Sequence, residues 1–97
     1  MQLVDQEVID NYLWYQSMLE KFEQQKIEVL ESTTSFKKFL KMFESRKDEN
    51  ILFYTRIKKA LKENKETLSK VERNIKELRE IVERNKHLED RIQLNNE

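Results

Sequence analysis

The 97-residue sequence contains no cysteine, no glycine and no proline. Without cysteine, the chain has neither a disulfide nor a thiolate zinc site. Without glycine, it has no glycine-rich loop for a phosphate, and tight turns with a positive φ angle lack their usual residue. Without proline, no residue removes a backbone donor from a helix. Together these absences favour helix along the whole chain.

The chain has little of what an active site or a metal site needs. His87 is its single histidine and cannot form a histidine-rich metal site alone. The hydroxyl cluster at residues 32–35 has no histidine nearby in sequence and no oxyanion-hole turn. The many carboxylates lack the concave, water-excluding pocket that shifts a pKa usefully. We therefore expect no enzymatic activity, no metal and no cofactor.

Long apolar segments are also missing, because the longest unbroken apolar runs have four residues. A membrane-spanning helix needs about 20 predominantly apolar residues. Residues 1–5 have neither the basic start nor the apolar core of a secretory signal. We expect a cytoplasmic protein, and export without a cleaved signal peptide stays open.

Charge is abundant but balanced, with 19 basic and 19 acidic residues and a formal net charge of zero. Charged residues make up 39% of the chain and hydrophobic residues 37%, which is typical of coiled coils and solvated helices. The signs are unevenly distributed. Residues 1–31 contain seven acids and two bases, whereas residues 36–59 contain eight bases and three acids.

Apolar residues recur every seven positions in both halves, which predicts two long amphipathic helices. In the first half the row consists of Met1, Val8, Tyr15, Phe22, Val29, Phe36 and Phe43. In the second half it consists of Tyr54, Leu61, Leu68, Ile75 and Val82, beside a companion row of Ile57, Val71, Leu78 and Ile92. Each helix therefore has an apolar stripe that another helix could cover.

The polar stretch between the two halves predicts a turn at about residues 45–50, with Ser45, Asp48 or Asn50 as the helix cap. The predicted fold is all-α, a single domain over residues 1–97 that forms a long antiparallel, coiled-coil-like helical hairpin. Helix 1 covers about residues 3–44, with a possible kink at 32–35 where side-chain hydroxyls compete for backbone hydrogen bonds. Helix 2 covers about residues 51–94.

Two asparagines, Asn64 and Asn85, fall in the companion row of the second helix. A buried asparagine in such a seam commonly fixes register or oligomeric state at a cost in stability. The alternative is that the helix frays at these positions and both side chains are solvated. The sequence leaves the two interpretations open.

The apolar surface of the first helix is wider than one neighbouring helix would cover. Residues 12–15 are four consecutive apolar residues, which point around the full circumference of a helix at about 100° per residue. Leu13 and Trp14 are the candidate anchors, because tryptophan is enriched at interface hot spots. The candidate partner-binding residues are Ile9, Leu13, Trp14, Ile27 and Leu30. We expect the hairpin to form part of a helical bundle with a second copy or another helical protein, the alternative being an isolated hairpin with exposed apolar residues.

The basic segment near the turn also contains aromatic residues, a mixture found on nucleic-acid-binding and anionic-membrane surfaces. The possible anionic-ligand surface consists of Lys37, Lys38, Lys41, Lys58 and Lys59. Most of the aromatic residues lie on or beside the heptad row, however, so packing of the hairpin tip is the favoured interpretation. We do not expect nucleic acid or a membrane to be the partner.

These patterns predict a protein–protein interaction module that acts as an adaptor, an assembly subunit, or a dedicated chaperone or targeting partner of another helical protein. In length and in the position of its turn, the chain resembles the small helical-hairpin proteins of type VII secretion, which implies pairing with toxin or sibling helices. The Trp-x-Gly turn of that family is absent, since Trp14 lies far from residues 45–50. A basic-tipped nucleic-acid-binding protein, a phage-type regulatory protein and a bacteriocin-type immunity protein remain alternatives.

Overall fold

A computed structural model describes residues 6–96, and side chains as far as Ile92. It contains α1 (Gln6–Phe43), a short 3₁₀ helix (Glu44–Arg46), α2 (Ile51–Arg84) and α3 (Leu88–Asn96). The long helices α1 and α2 pack against each other as a hairpin, which confirms the predicted all-α fold. The predicted start of helix 1 near residue 3, and Met1 of the heptad row, lie outside the described residues.

The hairpin is a thin rod with extents of 74 × 21 × 16 Å. Its radius of gyration is 21.0 Å, compared with about 12.5 Å expected for a compact domain of this length. Among the described side chains, six hydrophobic ones are buried: Ile9, Tyr12, Ile57, Val71, Ile75 and Leu88. Two helices side by side can enclose only the narrow line between them, so most heptad residues are half-buried.

The hydroxyl cluster at residues 32–35 does not interrupt α1, which continues through it to Phe43. The Thr34 hydroxyl donates to the Leu30 carbonyl at 3.0 Å, a bond that leaves the helix intact. The Asn64 amide of α2 donates to Ser32 Oγ at 3.1 Å and to Thr33 Oγ1 at 3.3 Å. These hydroxyls are therefore used as acceptors between the two helices.

The chain reverses between Phe43 and Ile51 without a left-handed residue, since no described residue has a positive φ angle. The last turn of α1 tightens into the 3₁₀ helix, and the amides of Glu49 and Asn50 then donate to the Arg46 carbonyl. Asn50 precedes α2, but its side chain makes no capping hydrogen bond. Because the turn uses only ordinary backbone conformations, it needs no glycine.

The predicted single helix over residues 51–94 is wrong in one respect, because α2 ends at Arg84 and α3 begins at Leu88. The Asn85 side-chain amide donates to the Ile81 carbonyl at 2.8 Å, and in doing so competes with the regular helical ladder. The amides of Lys86, Leu88 and Glu89 bond to carbonyls three residues earlier, which tightens the chain locally. Beyond this break, Leu88 lies in the core.

Within residues 6–96, no helix combines the length and the apolar character that crossing a bilayer requires.

Candidate partner-binding surface

The open end of the hairpin is closed by contacts between α1 and α3. Ile9, Tyr12 and Leu88 are buried there, and Tyr12 is the largest fully buried side chain at 2% exposure. The Tyr12 hydroxyl donates to Glu89 Oε1 at 2.8 Å, and Gln16 Nε2 donates to the Tyr12 oxygen at 3.0 Å. The bond between Tyr12 and Glu89 connects residues that are 77 positions apart in sequence and fixes the direction of α3.

Burial raises the pKa of the Tyr12 hydroxyl from 10.0 to about 12, because a buried phenolate would lose its hydration. The hydrogen bond to Glu89 acts in the same direction, since it requires the phenolic proton. The negative charges of Glu89 and Glu83 further disfavour a second anion. Tyr12 is therefore a structural donor, and it carries no charge at neutral pH.

The five predicted partner-binding residues do not form one continuous surface. Ile9 is buried in the open-end core, because α3 packs over this part of α1, so it does not belong to an exposed surface. The other four, Leu13, Trp14, Ile27 and Leu30, are exposed. They are distributed over two grooves and the outer side of α1.

Trp14 lies in a shallow groove between α1 and α2, with a volume of about 210 Å³. Its ring packs edge-on against Tyr15, with centroids 5.2 Å apart, and 57% of the residue remains exposed. The groove is lined by Trp14, Met18, Phe22, Asn74, Glu77, Leu78 and Ile81. It offers a partner an aromatic ring and several half-buried aliphatic side chains.

Leu30 lies in a different and larger groove, which we name the central groove, with a volume of about 470 Å³. Leu30, Leu61 and Leu68 give it an apolar floor. The other lining residues are Thr33, Lys37, Lys62 and Lys65. The central groove thus combines a leucine floor with three lysines, and no acidic side chain lines it.

Leu13 and Ile27 belong to a heptad row on the solvent side of α1, which we name the outer row. It consists of Leu13, Glu20, Ile27, Thr34 and Lys41, all of them exposed. Residues seven positions apart lie within about 20° on a helix, so the row forms one stripe. In this row Glu20 precedes Ile27, and Lys41 follows it.

The hairpin tip carries an exposed apolar patch that includes residues not singled out from the sequence. Met42, Ile51 and Leu52 are 69%, 66% and 63% exposed, and Phe39 lies close to them in sequence. Phe43 and Phe53 pack edge-on with centroids 5.6 Å apart, so only part of the predicted aromatic packing at the tip forms. The signal was available, because residues 51–54 are four consecutive apolar residues like residues 12–15.

The five lysines of the possible anionic-ligand surface are all exposed. Lys37 lines the central groove with Lys62 and Lys65, neither of which belongs to the predicted set. The Lys58 ammonium lies 4.9 Å from the centre of the Tyr54 ring, a cation–π contact within the hairpin. Lys62 and Lys65 were missed because they lie outside the basic segment at residues 36–59.

Two ion pairs join α1 to α2 and support their alignment. Lys26 lies 3.7 Å from Glu72, and Arg79 lies 3.2 Å from Glu23. Exposed pairs of this kind contribute about 0 to 1 kcal/mol each. They help to set register, whereas the buried apolar line provides most of the stability.

His87 is exposed in the break before α3, and the described residues contain no group of three histidine, cysteine or acidic side chains that could hold a metal ion. No family model matches the chain, and no curated protein or solved structure is similar to it.

Proposed function

We propose that this protein is a protein–protein interaction module, a helical hairpin that completes its core by packing against another helical chain. The observation that carries the proposal is the imbalance between a narrow core and exposed apolar side chains. Among the described side chains, ten large hydrophobic ones are 43% to 69% exposed, compared with the six that are buried. In such a rod, an additional helix would bury surface that the hairpin cannot cover by itself.

The size of the solvent-accessible surface also supports this proposal. The chain exposes 8157 Å², whereas a compact monomer of 12.0 kDa exposes about 6000 Å². Obligate protein interfaces bury about 2000 Å² or more in total. The excess surface is therefore large enough for a stable complex.

The two grooves suit recognition of a helix. An amphipathic helix binds a groove through apolar residues spaced three and four positions apart. The central groove presents leucines from both α1 and α2, and the Trp14 groove presents an aromatic anchor. In this proposal the hairpin serves as an assembly subunit, an adaptor or a dedicated partner. It recognises a helix of the other protein by packing apolar side chains against it.

The test compares partner capture by matched variants in the native host. A tagged wild type is compared with Leu13→Lys/Ile27→Lys, which places two charges in the outer row, and with Leu30→Lys/Leu61→Lys, which places them in the central groove. The control, Gln24→Lys/Gln25→Lys, adds the same charge at two exposed polar positions of α1. We expect the wild type and the control to co-purify with the same helical chain at constant stoichiometry, and at least one apolar variant to lose it.

Two results together would contradict the proposal. The first is recovery of the same proteins by all four baits. The second is a purified chain that is monomeric, highly helical and unfolds in a sharp thermal transition, because such a chain would need no partner to complete its core.

A further inference from the structure

We infer that the partner is a second copy of this chain, packed antiparallel along the outer side of α1 to form a two-fold symmetric four-helix bundle. This inference rests on the proposed function and specifies the binding partner. It follows from the order of charged and apolar residues along the exposed side of α1, together with the leucine floor of the central groove.

Two largely exposed rows run along this side of α1, and Glu23 in the second of them is half-buried and paired with Arg79. The outer row has Glu20, Ile27 and Lys41, and the neighbouring row, three positions on, has Glu23, Leu30 and Lys37. Rows related by alternating steps of three and four residues form the contact seam of a coiled coil. At the middle of this seam, Ile27 and Leu30 are 49% and 43% exposed. The seam is thus apolar at its centre, acidic on one side and basic on the other.

This order is self-complementary for an antiparallel pair. Glu20 lies seven residues before Ile27, and Lys37 lies seven residues after Leu30. When Ile27 of one copy packs against Leu30 of the partner copy, the antiparallel direction brings Glu20 opposite Lys37, and the two-fold axis repeats the contact. A parallel pair would instead place Glu20 beside Glu20 and Lys37 beside Lys37, which is repulsive.

The central groove extends the contact to α2. Its leucine floor borders Leu30, and Lys37, Lys62 and Lys65 line it. In this register residues 20–27 of the second copy lie opposite the groove, and they contain two acids, Glu20 and Glu23, and two bases, Lys21 and Lys26. The groove therefore adds apolar contact to the seam, and the charge complementarity rests on Glu20 and Lys37.

The same arrangement sets which parts of the two rods are level with each other. Trp14 lies 13 residues before Ile27, and Phe43 lies 13 residues after Leu30. In the antiparallel pair, Trp14 of one copy is consequently level with the tip of the other. Leu13, which belongs to the outer row, therefore lies near the tip of the second copy, whereas Trp14 faces the separate groove between α1 and α2.

The first experiment is sedimentation equilibrium of the full chain combined with a charge exchange. We expect a dimer for the wild type. Glu20→Lys alone and Lys37→Glu alone should each weaken dimerisation on the order of tenfold, because like charges then meet twice across the axis. The double variant Glu20→Lys/Lys37→Glu should recover affinity to within about threefold of the wild type. A monomeric wild type, or a double variant weaker than both single variants, would overturn the inference.

The second experiment measures orientation by oxidative cross-linking, in which no native thiol competes because the chain has no cysteine. Glu20→Cys/Lys37→Cys should form a covalent dimer, whereas Glu20→Cys alone should not. In the antiparallel pair, position 20 of one copy is about 26 Å from position 20 of the other at 1.5 Å per residue, far beyond disulfide reach. Efficient cross-linking of the single variant would mean a parallel pair and would refute the antiparallel dimer.

Failure of this inference can be told apart from failure of the proposed function. A monomeric chain that still captures a different helical protein through the outer row or the central groove would refute the homodimer alone. A monomeric, sharply unfolding chain whose apolar variants capture the same proteins as the wild type would refute both.

Discussion

Tyr12 shows how a single side chain joins the two ends of the sequence. It is buried between α1 and α3, and its hydroxyl reaches Glu89 at 2.8 Å. A buried hydroxyl without a partner would cost about 1 to 3 kcal/mol, so the carboxylate is needed where the ring is buried. Gln16 donates to the same phenolic oxygen and satisfies its acceptor capacity. The ring thus provides apolar contact, and the hydrogen bond of the hydroxyl to Glu89 orients α3.

The raised pKa of Tyr12 gives a testable pH dependence. Because its folded-state pKa is about 12 and its ordinary value is 10.0, the folded chain keeps this proton longer than the unfolded chain does. The associated stabilisation is complete below pH 10.0 and is lost as the pH rises through about 12.

The measurement is an absorbance titration of tyrosinate in the wild type and in Tyr12→Phe. The difference between the two titration curves reports the ionisation of Tyr12 alone. Glu89→Gln should lower the pKa of Tyr12, because it removes the negative charge that accepts the hydroxyl proton. A difference curve centred at the ordinary tyrosine pKa in the wild type would show that Tyr12 is neither buried nor bonded to Glu89.

At the scale of the helices, polar residues decide where α1 and α2 are aligned and where the second helix ends. Asn64 bonds to Ser32 and Thr33 across the hairpin, which agrees with its interpretation as a register device. Asn85 bonds to the carbonyl of Ile81 in its own helix and marks the break before α3. Two asparagines in the same heptad row therefore have different roles, because only Asn64 has hydroxyl partners on the facing helix.

Replacing Asn64 with an apolar residue should make the hairpin more stable but make the alignment of its helices less specific. We expect Asn64→Leu to raise the unfolding free energy by about 1 kcal/mol, because an apolar side chain replaces a polar one in a half-buried seam. It should also broaden the distribution of species in sedimentation velocity, since the polar layer no longer selects one alignment. The control Ser32→Ala/Thr33→Val removes the facing hydroxyls and leaves Asn64 in place. A less stable Asn64→Leu with one sharp species would show that the polar layer does not set the register.

The whole molecule is a 74 Å rod whose surface exceeds that of a compact chain of its mass. Its apolar residues outside the core occur along α1, in the grooves and at the tip. Its charge is separated along the rod, with an acidic first half of α1 and a basic turn region. Such a molecule has no net charge to keep copies apart, and antiparallel association lets its opposite charges meet.

Association should therefore appear in the thermal stability of the whole molecule. We expect the midpoint of unfolding to rise with protein concentration, because the folded state gains stability by mass action when copies bind each other. It should fall at high salt, which screens the exposed Glu20 and Lys37 charges. Circular dichroism melts over a wide concentration range measure both effects.

Trp14 provides an internal check, since it is the single tryptophan and is 57% exposed in the isolated hairpin. Its fluorescence should stay the same on dilution, because it faces the groove between α1 and α2 and not the outer side of α1 on which the second copy packs. A midpoint that does not change with concentration would contradict association of this chain with itself.

The sequence by itself determined the helical hairpin, because the seven-residue apolar rows and the polar stretch at 45–50 depend only on the local order of residues. It also marked Leu13, Trp14, Ile27 and Leu30 as surplus apolar surface. Only the tertiary structure decided that Ile9 is buried, since this depends on the path of α3 after the break at Asn85. Likewise, the central groove brings Lys37 together with Lys62 and Lys65, which a periodic pattern cannot relate across two helices. Periodicity identifies the faces of a helix, but which faces remain open depends on how the helices pack.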